Sequence, residues 1–170
     1  MNHSLTGNEI MRPFALAIIA LSCLSASEAQ AKDLSGRLGV GFNNQFAGLS
    51  SISARWNLPN GDEHSIAIEG NVGFSMMAGS DDAVFVGGRA LYGLAREDNM
   101  TLWVGGGVGY LREATQTAFR FQPVMSAEFF LYGLENLGFM VEWGLNFDLS
   151  SETQIHMVSG TPSVGAHYYF

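Results

Sequence analysis

Cysteine, proline and lysine are scarce in this chain of 170 residues. Cys23 is the single cysteine, so no disulfide can form within the chain. Only four prolines are present, and proline is the residue that removes a donor from a β-ladder. Lys32 is the only lysine, and charged residues make up 14% of the chain. A soluble β-protein needs more charge than this on its outer face.

Two further absences concern charge and long apolar segments. The net charge is −8, which argues against a nucleic-acid-binding protein, since such proteins present a basic face. After residue 31, no apolar run approaches the roughly 20 residues that a membrane-spanning helix needs. Nevertheless, 47% of the residues are hydrophobic. An apolar chain without a spanning helix is typical of a membrane β-barrel, in which apolar residues alternate with polar ones.

The first part of the chain has the three features of an export signal. Arg12 precedes an apolar run over residues 14–24, and small residues follow, ending in an A-x-A pattern at Ala29 and Ala31. The run is too short for an anchoring helix. We therefore expect residues 1–31 to be a signal peptide that is cleaved after Ala31.

The remaining residues, 32–170, form the expected mature domain. Removal of the signal would leave seven basic and fourteen acidic residues, and no cysteine. Translation could begin at Met1 or at Met11, because the first ten residues have the character of an upstream extension. Acylation of Cys23 is an alternative, but the residues before it fit a lipobox poorly.

Eight segments of the mature part alternate between apolar and polar residues. They begin near Leu34, Ser51, Ser65, Val84, Thr101, Phe119, Phe139 and Ser163. In the seventh, one face is formed by Phe139, Val141, Trp143, Leu145 and Phe147. A period of two predicts strands and does not fit a helix. The exception is Pro123 in the sixth segment, where we expect a bulge or a local break.

The connections between these segments alternate in length. Tight turns are expected at residues 59–62, 96–99 and 133–136, and loops at residues 44–48, 77–82, 113–118 and 150–160. An even number of strands can close into a barrel without an edge in lipid. The predicted fold is therefore all-β, an eight-stranded antiparallel up-and-down transmembrane barrel. A soluble barrel with the apolar face inward is the alternative.

The polar face favours the membrane orientation. It is rich in glycine, serine, asparagine and threonine, which suit a narrow interior. Aromatic residues recur near the strand ends, as in interfacial girdles: Trp56, Tyr92, Tyr110, Phe119, Phe139 and Tyr168. Charges of both signs also lie on this face: Arg37, Arg55, Glu69, Arg89, Glu128 and Glu142. Buried charges need partners, so we predict an internal ion-pair network; charges solvated in a water-filled channel are the alternative.

The last strand carries a short motif, with Val164, Ala166, Tyr168 and the terminal Phe170 on its apolar face. Together with the signal peptide and the strand pattern, it resembles the OmpA/OmpX/OmpW-like family of small outer-membrane β-barrels over about residues 32–170. The resemblance implies that these four residues are an assembly signal for the barrel-assembly machinery. It also implies contact with outer-membrane lipid and lipopolysaccharide, and periplasmic termini. The short outer loops differ from the OmpX pattern.

The histidines and a glycine run are the candidates for catalysis or cofactor binding. Some small outer-membrane barrels are deacylases that use a histidine, a serine and an acid, and the chain after residue 31 has His64, His156 and His167. We expect these at a turn, in the last loop and in the interior, which gives no catalytic geometry. The glycine run at residues 105–109 lacks the lysine and helix of a phosphate-binding loop. We predict no enzyme activity, no metal and no cofactor.

The functional prediction is a structural role in the envelope, with the interior closed by the charged residues. One alternative is a narrow channel or a passage for small apolar molecules. Another is a surface interaction protein that acts through the loop at residues 150–160.

Overall fold

The computed structural model describes residues 33–44, 46–59, 65–75, 82–114, 116–150, 154–157 and 162–170, without the side chains of residues 154–157. The predicted signal peptide lies outside these residues. The described strands are β1 (Leu38–Asn43), β2 (Ser51–Asn57), β3 (Ile66–Ser75), β4 (Ala83–Arg96), β5 (Met100–Glu113), β6 (Gln116–Phe130), β7 (Leu137–Leu149), β8 (Gln154–Met157) and β9 (Ser163–Tyr169). Nowhere in this described part is there a helix with the length and hydropathy required to cross a bilayer.

Eight of the strands form a closed antiparallel barrel. Each of β1 to β7 pairs with its neighbour in sequence, β7 pairs with β9, and β9 pairs with β1. Closure matters because no strand is left with an unpaired edge, whose donors and acceptors would have no partners in lipid. We call the end that carries Leu38 and Tyr169 the terminal end, and the opposite end the loop end.

The eighth strand position is divided into two pieces. β9 pairs with the first half of β7, from Leu137 to Glu142, while β8 pairs with Leu145–Asp148 further along. The sequence predicted a loop over residues 150–160, but part of this stretch extends the sheet beside β7. Residues 151–153 and 158–161 lie outside the described part of the chain.

The connection between β5 and β6 is shorter than predicted. β5 continues to Glu113 and β6 begins at Gln116, so the expected loop over residues 113–118 is wrong. The turn includes Ala114 at φ 49°, and the backbone N–H of Ala114 donates to the carbonyl of Asp82 at 2.9 Å. The tight turns near residues 96–99 and 133–136 are present, and Gly133 adopts a φ of 81° that suits glycine.

Pro123 introduces no bulge, but the predicted local break is present on one side of β6. Pairing of β5 with β6 runs through Gly106 and Pro123 without interruption, and only the ladder to β7 has a gap, between Phe121 and Val124. Pro123 can sit in a strand because its missing donor falls at that gap. The irregularity in register lies instead in the pairing of β4 with β5, at Gly93 and Ala95.

The strand faces that the alternation predicted to be apolar point outward. Ile68, Val86 and Val108 are at least half exposed, while the alternating positions Ala67, Phe85 and Glu69 are buried. The predicted orientation of the two faces is therefore observed, and the alternative with an apolar interior is contradicted. Leu34 is an exception, since it is buried against Phe130 and Tyr169 at the terminal end.

Candidate functional site in the barrel interior

Five charged residues meet inside the barrel, and we call them the charged cluster: Arg55, Glu69, Arg89, Glu128 and Glu142. All five are 3% exposed or less. Arg55, Glu69 and Arg89 are direct register partners on β2, β3 and β4. Glu128 and Glu142 come from β6 and β7, on the opposite wall of an eight-stranded ring. The cluster therefore links strands across the interior.

Glu69 lies at the centre of the cluster. One of its carboxylate oxygens accepts from Nε of Arg55 at 2.8 Å and lies 2.7 Å from NH2 of the same guanidinium. The other oxygen accepts from Arg89, from NH2 at 2.8 Å and from Nε at 3.1 Å. Each arginine thus pairs with a different oxygen of the same carboxylate, and charge assistance makes these hydrogen bonds stronger than neutral ones.

Glu142 receives the second donor group of Arg89. Its two oxygens accept from NH2 at 2.8 Å and from NH1 at 3.2 Å. The amide of Asn43 also donates to Glu142, at 2.8 Å. Asn43 is on β1 and Arg89 is on β4. Glu142, on β7, is therefore bonded to two strands that are not its neighbours in the barrel.

Glu128 is held mainly by neutral donors. Tyr169 donates its hydroxyl to one oxygen at 2.5 Å. Trp103 Nε1 and Arg55 NH1 each donate to the other oxygen at 3.1 Å. The cluster contains two arginines and three glutamates, so these neutral donors are needed to complete the coordination of the third carboxylate.

Apolar layers enclose the charged cluster at both ends. Leu34, Phe130 and Tyr169 pack together at the terminal end. Towards the loop end, Phe46, Ala47 and Phe85 pack together, with Leu49 and Leu111 against them. Removal of water from around the cluster strengthens each ion pair, and it also raises the cost of leaving any one charge without a partner.

Arg37 was predicted to belong to this network, but the structure places it elsewhere. Its guanidinium donates to the carbonyls of Tyr169 and Phe170 at 3.0 and 3.2 Å, and to the side chain of Asn136 at 2.9 Å. Arg37 lies at the terminal end of the barrel, directly before β1, and its guanidinium bonds there to the end of β9 and to the turn before β7 instead of to a carboxylate of the charged cluster.

A second buried ion pair was not predicted. Arg120 and Asp148 are register partners on β6 and β7 and are joined by two hydrogen bonds of 2.7 Å. Both residues fall on the polar face of their strands, and the tight turn between the strands sets their register. These two features of the sequence were sufficient to predict that Arg120 and Asp148 form an ion pair.

The histidines give no catalytic arrangement among the residues that the structure describes. His167 is buried, as predicted, and its Nε2 lies 2.7 Å from the hydroxyl of Ser53. His64 lies outside the described residues, as does the side chain of His156. The contact between Ser53 and His167 is enclosed by the barrel wall, where both residues are 1% exposed or less.

Comparison with known proteins gives one informative likeness. No family model matches the chain, and no curated protein matches it. Among solved structures, the chain is similar to the outer membrane protein Ail of Yersinia pestis, described in a phospholipid bilayer nanodisc. The TM-score is 0.51 at 10% sequence identity, and the match covers 79% of this chain and 97% of Ail.

This chain has the fold of an eight-stranded outer-membrane β-barrel. The fold prediction from the sequence is confirmed. In this outer-membrane barrel fold, the residues of the expected assembly signal lie on the outer face of the last strand: Val164, Tyr168 and Phe170 are exposed, and Ala166 is half-buried.

Proposed function

We propose that this protein is a non-catalytic, structural barrel of the outer membrane whose interior is sealed. The charged cluster is the observation that carries this proposal. It joins opposite walls through five fully buried side chains, and apolar layers cover it at both ends. A small eight-stranded barrel has little interior space beyond its own side chains, so such a cluster acts as a plug.

The proposed location rests on the outer surface and on the fold. The outward side chains are predominantly aliphatic or aromatic, as hydrocarbon requires. Outer-membrane lipid and lipopolysaccharide would surround this surface. We propose that residues 1–31 direct export, that the barrel-assembly machinery recognises Val164, Ala166, Tyr168 and Phe170, and that both termini face the periplasm.

The sealed interior makes a clear prediction for conductance in planar bilayers. The wild-type barrel is expected to show no stable unitary current. Replacement of Arg89 by Ala removes a partner shared by Glu69 and Glu142, and leaves buried negative charge without its partner. Because such breakage costs on the order of 3–5 kcal/mol, we expect this variant to admit water and to conduct cations intermittently.

Arg112→Ala is the matched control, because Arg112 is an exposed arginine on β5. It should remain as silent as the wild type. Heat-modifiable migration on gels would first establish that each variant is folded. A wild-type current of stable unitary size would show that the interior is open and would contradict the proposed sealed barrel.

A further inference from the structure

A short part of the β1–β2 connection is folded into the barrel, and we call residues 46–49 the inner loop segment. The sequence predicted an outer loop here. Instead, Phe46 and Ala47 are completely buried, at 0% and 1% exposure. The turn that holds these two residues inside the barrel includes Gly48, whose φ of 73° suits glycine.

The barrel wall forms a seat that fits the ring of Phe46. A Cβ atom at Gly107 would lie 2.7 Å from Cζ of Phe46, and one at Gly87 would lie 2.8 Å from its Cε1. The ring of Phe85 meets Phe46 edge to face, with the centroids 4.9 Å apart. The two strand glycines and the ring of Phe85 thus leave a space that fits an aromatic ring. A larger residue at Gly87 or Gly107 would occupy that space.

A polar anchor lies beside the seat. Arg120 NH1 donates to the carbonyl of Phe46 at 2.9 Å and to that of Ala47 at 2.8 Å. Asp148 fixes the same guanidinium from the other side through two bonds of 2.7 Å. The seat therefore fits an aromatic ring with adjacent carbonyl oxygens. The donor to these oxygens is Arg120, which Asp148 already holds in position.

The seat and the anchor belong to the strands, whereas their occupant belongs to a connection. The last register pair of β1 with β2 is Phe42 with Ile52, so outward movement of the inner loop segment leaves this ladder intact. None of the members of the charged cluster comes from the segment, although Arg89 lies 6.0 Å from the centroid of the Phe46 ring and would lose this contact. Movement of the inner loop segment would therefore expose the seat without breaking a strand pair of β1 with β2.

We propose that the seat at Phe85, Gly87, Gly107 and Arg120 is a binding site for a small molecule with an aromatic ring next to a carbonyl or carboxylate group. The inner loop segment occupies this site as an internal competitor. The ligand places its ring between the two glycines and its oxygen on Arg120, and it displaces Phe46. The occupant is also part of the apolar layer that covers the charged cluster at the loop end, so its displacement opens that layer and leaves the ion pairs of the cluster as the remaining seal.

Removal of the competing ring provides the direct test. Phe46→Ala and the wild type are titrated in detergent micelles with N-acetyl-phenylalaninamide, which carries a ring and neighbouring carbonyls, and binding is followed by calorimetry. We expect Phe46→Ala to bind at least tenfold more tightly than the wild type. Equal affinity for the two proteins would overturn the proposal.

Three controls separate the seat from the micelle. Phe46→Ala combined with Gly87→Ala places a methyl group where the ring would lie and should weaken binding at least tenfold, since a Cβ atom at Gly87 meets only the edges of the Phe85 and Phe46 rings. Phe121→Ala removes a phenylalanine from the outer face and should bind no better than the wild type. Ethylbenzene, which has the ring without a carbonyl, should bind Phe46→Ala more weakly than the amide; equal binding would contradict the role of Arg120.

A second measurement does not depend on the folding of Phe46→Ala. In a Cys23→Ser background, Ala47→Cys supplies a single thiol on the inner loop segment. Saturating N-acetyl-phenylalaninamide should increase its rate of reaction with a water-soluble maleimide, because displacement exposes the segment. An unchanged reaction rate would overturn the proposal, whether or not Phe46→Ala folds well enough for calorimetry.

Discussion

Tyr168 and Tyr169 are adjacent residues with opposite environments. Tyr169 is completely buried and donates to Glu128, whereas Tyr168 is 47% exposed on the outer face. Both are tyrosines on the same strand, β9. Removal of each hydroxyl in turn therefore compares how much a buried and an outward-facing tyrosine contribute to the free energy of unfolding.

We expect Tyr169→Phe to lower the free energy of unfolding by about 1.5–3 kcal/mol. The reason is that the substitution removes a hydrogen bond to a buried carboxylate while retaining the ring. Urea-induced unfolding in lipid vesicles measures this quantity. Tyr168→Phe should change it by less than about 0.5 kcal/mol. Similar losses for both variants would show that Glu128 does not depend on the hydroxyl of Tyr169.

Sequence reasoning placed most of the interior residues correctly, and its errors have a physical cause. Alternation assigned Arg55, Glu69 and Arg89 to the inner face because all three lie within regular strands. It failed at Leu34, which the turn at Gly36 separates from β1, and at Arg37, which lies at the terminal end of the barrel beside the end of β9. A period of two predicts the direction of a side chain only where the strand is continuous.

At the scale of elements, the junction between β1 and β9 closes the barrel. Arg37 contributes to this closure, since it reaches the carbonyls of Tyr169 and Phe170 and also Asn136 in the turn before β7. The backbone adds to it, because the N–H of Phe170 donates to the carbonyl of Leu38 at 3.0 Å. The first and last strands are thus joined by side-chain and backbone bonds at the terminal end.

Arg37→Ala should weaken this junction. We expect a loss of about 1 kcal/mol in the free energy of unfolding, because the freed carbonyls lie near the surface and water can partly replace the guanidinium. The temperature at which the barrel loses its compact migration on gels should fall accordingly. Arg112→Ala, at an exposed position, is the control. If the two variants unfolded at the same temperature, Arg37 would have no part in the closure.

The elements also show where prediction from sequence stops. Pairing between neighbouring strands follows from turns, so the contact of Arg120 with Asp148 was accessible to sequence reasoning. The contact of Tyr169 with Glu128 joins β9 to β6, which are not neighbours in the barrel. Such contacts depend on the diameter and tilt of the closed barrel, and alternation carries no information about either.

At the scale of the whole molecule, hydrophobicity and charge are divided between two faces of one sheet. The fold could be predicted because the alternation extends through eight strands and because few charges are available for an outer surface. The folded position of residues 46–49 could not, since the glycines that receive Phe46 lie on distant strands. The account as a whole requires that the apolar face contacts lipid and that the polar face lines the interior.

Spin-label accessibility in lipid bilayers tests that claim most directly. Nitroxides are attached singly at Ile68→Cys, Val86→Cys and Val108→Cys in a Cys23→Ser background, and their collisions with oxygen and with a water-soluble nickel chelate are compared. All three outward positions should collide with oxygen, which concentrates in hydrocarbon, and should be protected from the chelate. Frequent collisions with the chelate at these positions would mean that the apolar face meets water, which would contradict the membrane orientation of the barrel.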